Sequence, residues 1–161
     1  MLSGLPPFTL FHVYLSLIGI LSGLVMGFGW AAKRQFQNWT TLFFGTTIAS
    51  VMTGFLFPFH HLLPSHILGI LSTIALAISL YARFGKSLEG GWRSAYVIGA
   101  MLALYFNTFI FIVQLFEKQP HVRALAPTKT ESPFKMAQGA ALVLFIALTT
   151  AAVRRFHEPQ R

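Results

Sequence analysis

The sequence predicts an all-α bundle of about five membrane-crossing helices, forming a single transmembrane domain over residues 1–161. Three observations carry that expectation. Hydrophobic residues make up 55% of the chain and charged residues only 10%, where a soluble domain carries roughly a quarter. The apolar residues fall into uncharged runs long enough to cross a bilayer. Those runs are continuous and do not alternate every second residue, which argues against a β-barrel. There is no Asp and no Cys, so a disulfide- or thiolate-based scaffold is excluded along with a water-soluble or disordered one.

A hydrocarbon core of about 30 Å takes roughly 20 helical residues at a rise of 1.5 Å each. The segments 8–31, 40–58, 65–82, 94–116 and 136–153 meet that length without Lys, Arg, Asp or Glu. Pro7, Pro64 and Pro133 stand where the first, third and fifth should begin. Ser132 reads as an N-cap, with Pro133 at the first helical position, where its missing N–H costs nothing. Only 59–64 separates the second segment from the third, which predicts a tight hairpin.

With five spans the loops alternate sides, and the charges choose an orientation. One side holds eight basic residues, Lys33, Arg34, Arg83, Lys86, Arg93, Arg154, Arg155 and Arg161. The other holds four, Lys118, Arg123, Lys129 and Lys135. The positive-inside rule then puts the C-terminus in the cytoplasm and the uncharged N-terminal tail outside. Trp30, Trp39 and Trp92 fall at the basic side, where an interfacial aromatic belt belongs. The net charge of +8 is spread over short loops and a tail, which is topology signal and not a nucleic-acid footprint. The N-terminus lacks the basic region and short apolar run of a cleaved signal peptide.

Helices in lipid associate through close packing and interhelical hydrogen bonds. Gly19, Gly23 and Gly27 recur every four residues in the first span, with His12 and Ser16 extending the face. Thr46, Ser50 and Gly54 repeat the spacing in the second. These two faces are expected in contact inside the bundle, the alternative being a homodimer seam. In the fourth span Tyr96, Ala100, Ala103, Asn107 and Gln114 share a face; Gln138 and Thr149 do so in the fifth. Asn107 and Gln114 read as interhelical clamps, or as contacts to a ligand or quinone head group.

Histidines His12, His60, His61, His66 and His121 map to the outer half, and only His157 to the cytoplasmic tail. Imidazoles gathered at one depth suit a metal or a haem, with His12 and His66 the best pair and His60 or His61 third. Against that stand the absence of HExxH, Cys and Asp, and the ordinary occurrence of histidine at membrane interfaces. The outer loop 117–135 is long for a plain connector, with Leu125 placed to anchor it and Arg123 to pair with Glu131.

All ionisable Lys, Arg and Glu residues lie outside the five segments, which weakens ion-coupled transport and proton pumping. No phosphate-binding loop, dinucleotide fingerprint or nucleophile with an adjacent base is present, so no catalytic residue is assigned. The runs TGFLFPF at 53–59, ALYFN at 103–107, LAPT at 125–128 and ESPF at 131–134 resemble those of a group of small hypothetical inner-membrane proteins of proteobacteria. That resemblance spans roughly 40–150 and implies a multi-pass location in the bacterial inner membrane. The tripeptide Phe11-His12-Val13 is similar to segments of cytochrome b561-like and copper-resistance membrane proteins, which would imply haem or copper on histidine. The expected function is that of an accessory or interaction subunit without catalysis of its own, embedded in the lipid bilayer within a larger membrane complex or a homo-oligomer. The alternatives are a redox or metal-handling protein (haem, copper or quinone) using the outer histidines, and a small-solute channel or carrier.

Overall fold

The computed structural model describes residues 6–57 and 64–156 (for Pro64 and Ser65, the backbone alone). Among these every regular element is helical: α1 Pro7–Ala31, α2 Gln37–Phe55, α3 Pro64–Leu80, α4 Trp92–Lys118, the short α5 Pro120–Arg123 and α6 Ser132–Arg155. Four stretches are long and apolar enough to cross a membrane: Pro7–Ala31, His66–Phe84, Trp92–Lys118 and Ser132–Arg155. α2 is not among them. It carries no charge, but Gln37, Asn38 and a series of threonines make it less apolar than those four.

Local chemistry sets the helix ends. Pro6 caps α1 and Pro7 opens it, so the first turn has lost a donor it could not have used. At α6 the cap is Glu131, one residue before the expected Ser132, and Pro133 lies just inside. α3 runs on into a single π-turn, Tyr81–Gly85, closed by Lys86 N–H donating to Tyr81 O at 3.1 Å. A Cβ on Gly85 would stand 2.8 Å from the Tyr81 ring, so a side chain there would push that ring aside. Beyond it Ser87 and Leu88 both take positive φ, 48° and 57°. The Leu88 side chain is buried and its N–H bonds Ala82 O, which holds the strained turn in place.

α1 lies along α2 and α3 along α4, while α6 covers α1 and α4; α2 and α4 touch only sparsely. At the end where α1 and α3 finish, packing is tight. Met26, Trp30, Phe43, Tyr96, Met101 and Leu104 are fully buried there. Trp30 contacts Tyr96 and Phe156 with ring centroids 5.3 and 5.0 Å apart, and Phe44 stacks on Tyr96 at 5.8 Å. Trp30 is therefore a core anchor, 2% exposed, and not part of an interfacial belt; Trp39 and Trp92 remain on the surface. Basic side chains dress this end: Arg83 sits 5.7 Å over the Tyr96 ring, and Arg155 donates to Ala31 O at 3.0 Å, satisfying a carbonyl left open at the end of α1.

Small residues make the tight end possible. Gly23 faces Leu104 and Phe43, and Gly27 faces Met101 and Leu148, so the α1 glycine ladder winds from α2 toward α4 and α6. Gly19, Gly23 and Gly27 are all buried within the bundle, which leaves no room for a homodimer seam along them. Gly99 lets α4 approach the α3 backbone, and Ser79 donates to Tyr96 O at 2.8 Å beside it.

In the connection between α4 and α6, Leu125 is 60% exposed and the fully buried residue is Ala126. Arg123 does not pair with Glu131. The Glu131 carboxylate instead accepts from Thr128 N–H, the Thr128 hydroxyl and Thr130 N–H at 3.1, 2.8 and 3.0 Å. Glu117 pairs with Lys129 at 3.5 Å. Both differences from expectation arise because a four-residue helix, α5, rotates the chain before the turn, and nothing in the local sequence announces it.

Candidate functional site

Tight packing at one end is matched by separation at the other. Between α1, α2, α3 and α4, toward the α4–α6 connection, lies a cavity of about 790 Å³. It exists because α2 and α4 diverge, with α1 and α3 walling the gap. Val13, Leu17, Phe55, Phe57, Ile110 and Phe111 are among its apolar walls, and Glu117, Lys118 and Arg123 stand at its mouth. Such a volume, with apolar walls and a few polar groups, is that of a small-molecule pocket.

The polar side chains of the wall come from α1, α2 and α4 and are largely bonded to each other. His12 Nδ1 lies 2.9 Å from Thr53 Oγ1, while that hydroxyl donates its proton to Ala49 O at 2.8 Å. With its proton so placed, the Thr53 hydroxyl accepts from Nδ1–H of His12. One turn deeper the Ser16 and Ser50 hydroxyls meet at 2.6 Å. Asn107 reaches across from α4 to donate to Ser16 O at 3.3 Å. Gly19 makes this approach possible, since a Cβ there would stand 3.0 Å from Thr47 Oγ1 and 3.4 Å from Asn107 Nδ2.

Two buried polar atoms on this wall have no partner, Thr47 Oγ1 and Gln114 Oε1. Thr47 is only 1% exposed. An unpaired buried hydroxyl or amide oxygen costs roughly 1–3 kcal/mol, so such groups mark where a further partner is wanted. Gln138, on the far side of α4, donates to Phe109 O at 3.3 Å and is a clamp between α6 and α4.

The structure brings His12, His66, Asn107 and Gln114 onto one cavity, together with Ser50 and Gly54. Gly54 meets His12 Cε1, at 3.5 Å from where its Cβ would be. His60 and His61 lie outside the described residues. Among the described residues no three of His, Cys, Asp and Glu gather as a metal group. His12 and His66 both line the cavity, and they are the side chains that would hold a haem there. Thr46 stands slightly off the site: its hydroxyl donates to Leu42 O at 2.7 Å within its own helix, and the neighbouring Thr47 faces inward.

Sequence reasoning missed Thr47, Thr53, Lys118 and Arg123. The signal for Lys118 was present, since it falls eleven residues after Asn107 and four after Gln114, on the same helical face. Arg123 reaches the mouth through the turn into α5, which periodicity does not reveal.

The molecule thus belongs to the class of helical bundles with membrane-length helices and a cavity between them, open at one end. No family model, curated protein or solved structure matches the chain.

Proposed function

We propose that this protein is a five-span inner-membrane protein, N-terminus outside and C-terminus in the cytoplasm, that binds a small amphipathic molecule between its helices and serves as an accessory subunit without catalysis of its own. The observation that carries the binding role is the cavity of about 790 Å³, largely carbon-walled and bordered by Thr47 and Gln114, whose buried side-chain oxygens have no partner. Support for α2 as the fifth span is its pairing with α1 along the whole length, from His12–Thr53 through Ser16–Ser50 to Gly23 against Phe43. A helix so paired shares the depth of its partner, and the hydroxyls of Thr40, Thr46 and Thr53 donate to backbone carbonyls one turn back, so lipid meets few open polar groups. The orientation rests on the basic side chains gathered where α1 and α3 end.

A redox role based on quinone or haem uses the same cavity. Asn107 is already bonded to Ser16 O, which leaves Gln114 Oε1, an acceptor suited to a quinol hydroxyl, as the amide atom without a partner.

The test is to fill the cavity. Gly54 and Gly69 line it, and a Cβ at either meets nothing closer than 3.5 Å. Gly54→Leu and Gly69→Leu are expected to fold and to abolish capture of decylubiquinone, oleate or monoolein by the detergent-solubilised protein, read by native mass spectrometry. The same spectra show haem if it is retained on purification. If none of these molecules binds the folded wild type, or if the filled variants bind them equally well, the binding role is wrong.

A further inference from the structure

Two cations at the cavity mouth have no anion. Lys118 and Arg123 both line it, both are exposed, and among the described residues neither side chain has a carboxylate partner. The nearby carboxylate Glu117 is engaged by Lys129 at 3.5 Å, and Glu131 is held by Thr128 and Thr130. The mouth therefore carries uncompensated positive charge. A second, shallower hollow of about 370 Å³ beneath the α5 turn shares Glu117, Lys118 and Arg123 with the main cavity, so the cations can be approached from the water side as well.

Below the cations the groups change in order. Gln114 is one turn deeper on the same face of α4, with its buried Oε1 unpartnered. Ile110, Phe111, Val13 and Leu17 follow, and at the floor the polar groups are mostly closed on each other through Asn107–Ser16 and Ser16–Ser50. From Lys118 to Asn107 the helix rises roughly 16 Å, about the thickness of one leaflet of a 30 Å hydrocarbon core. The cavity therefore presents charge at the interface, one amide beneath it, and carbon for the length of a single acyl chain.

We infer that the occupant is a single-chain anionic amphiphile, a long-chain carboxylate, with its head on Lys118 and Arg123 and its chain running past Gln114 toward Asn107. This rests on the binding role proposed above and specifies its ligand. Charge-assisted hydrogen bonds to the two cations would hold the carboxylate. A volume of about 790 Å³ is within the range of one small ligand, which favours a single chain over a two-chain phospholipid.

The experiment uses the full-length protein in nanodiscs of zwitterionic lipid and compares oleate with its neutral relative monoolein by titration calorimetry. Oleate is expected to bind more tightly, and raising the salt should narrow the difference. The paired change Lys118→Gln and Arg123→Gln should weaken oleate by about 10- to 100-fold, the loss typical of charge-assisted contacts, and leave monoolein nearly unchanged. Gly54→Leu should remove both. Equal affinity for oleate and monoolein, or indifference of oleate to the paired change, overturns the inference while leaving the cavity a binding site. Equal competition by phosphatidylglycerol introduced into the discs would show that the mouth reads any bilayer anion, and the single-chain ligand would fall. If neither amphiphile binds and decylubiquinone does, the carboxylate is wrong and the quinone reading takes its place. If nothing binds, the binding role itself fails.

Discussion

Gly99 and Gly45 separate what a glycine does for packing from what it costs a helix. A Cβ at Gly99 would stand 2.6 Å from the Ala75 carbonyl oxygen, a backbone atom that cannot move without shifting α3. At Gly45 nothing lies within 4 Å. Gly99→Ala should therefore lower stability by about 1–3 kcal/mol through overpacking. Gly45→Ala should be neutral or add roughly 0.5–1 kcal/mol through helix propensity. Apparent melting temperatures in one detergent check the pair, and a Gly99→Ala protein that melts like the wild type would contradict the close approach of α3 and α4. Glu131 offers a second test. Desolvation pushes its carboxyl up, but hydrogen bonds from the Thr128 hydroxyl and from N–H groups of the turn outweigh it and hold it below its ordinary value of 4.5. A group lowered in the folded state stabilises the turn above its unfolded value and loses that contribution as pH falls through the lowered one. The amide resonances of Thr128 and Thr130 should therefore stay fixed from neutral pH down to about 5 and move together only below 4.5. Glu131→Gln should abolish that transition.

Among the helices, α2 is the element on which topology turns. Its composition alone leaves it outside the four stretches of clear membrane-spanning character. Its register against α1, with hydrogen bonds from His12 to Thr53 and between Ser16 and Ser50, is the support for the proposed fifth span. The chain has no cysteine, so single cysteines report without background. With α2 crossing, Lys33→Cys should react with a membrane-impermeant maleimide from the cytoplasmic side and His61→Cys from the outer side. Labelling of both from one side would remove the fifth span, and reversed labelling would invert the orientation. The short α5 illustrates a different limit. Its four residues carry no periodic signal, and where they carry Arg123 depends on the path of the chain around α4.

Across the whole bundle, the two ends do different work. The end rich in arginine and lysine is closed by Trp30, Phe44, Tyr96 and Phe156, with glycine and serine letting the backbones meet. In lipid this packing has to supply most of the association free energy, since apolar side chains gain little by leaving hydrocarbon for a protein interior. The opposite end gives up that packing to keep a cavity. Filling it should raise stability where it removes function, so Gly54→Leu and Gly69→Leu are expected to melt at or above the wild-type temperature while losing the ligand. That opposition is what distinguishes a binding cavity from a packing defect.

The scarcity of charge and the length of the apolar runs were enough to specify a helical membrane bundle, because hydrocarbon leaves no other home for such segments. Periodicity of 3.6 also put Gly19 and Gly23 on the inward face of α1, and Asn107 and Gln114 on one face of α4, since those are properties of a single helix. Which helices those faces meet is not a property of any one of them. The turn of the glycine ladder from α2 toward α4 and α6, the burial of Trp30, and the choice of Thr47 over Thr46 all depend on how the helices cross. The cavity depends on it most of all. It is the space left where α2 and α4 part, and side chains from four helices border it only because the opposite end packs so closely.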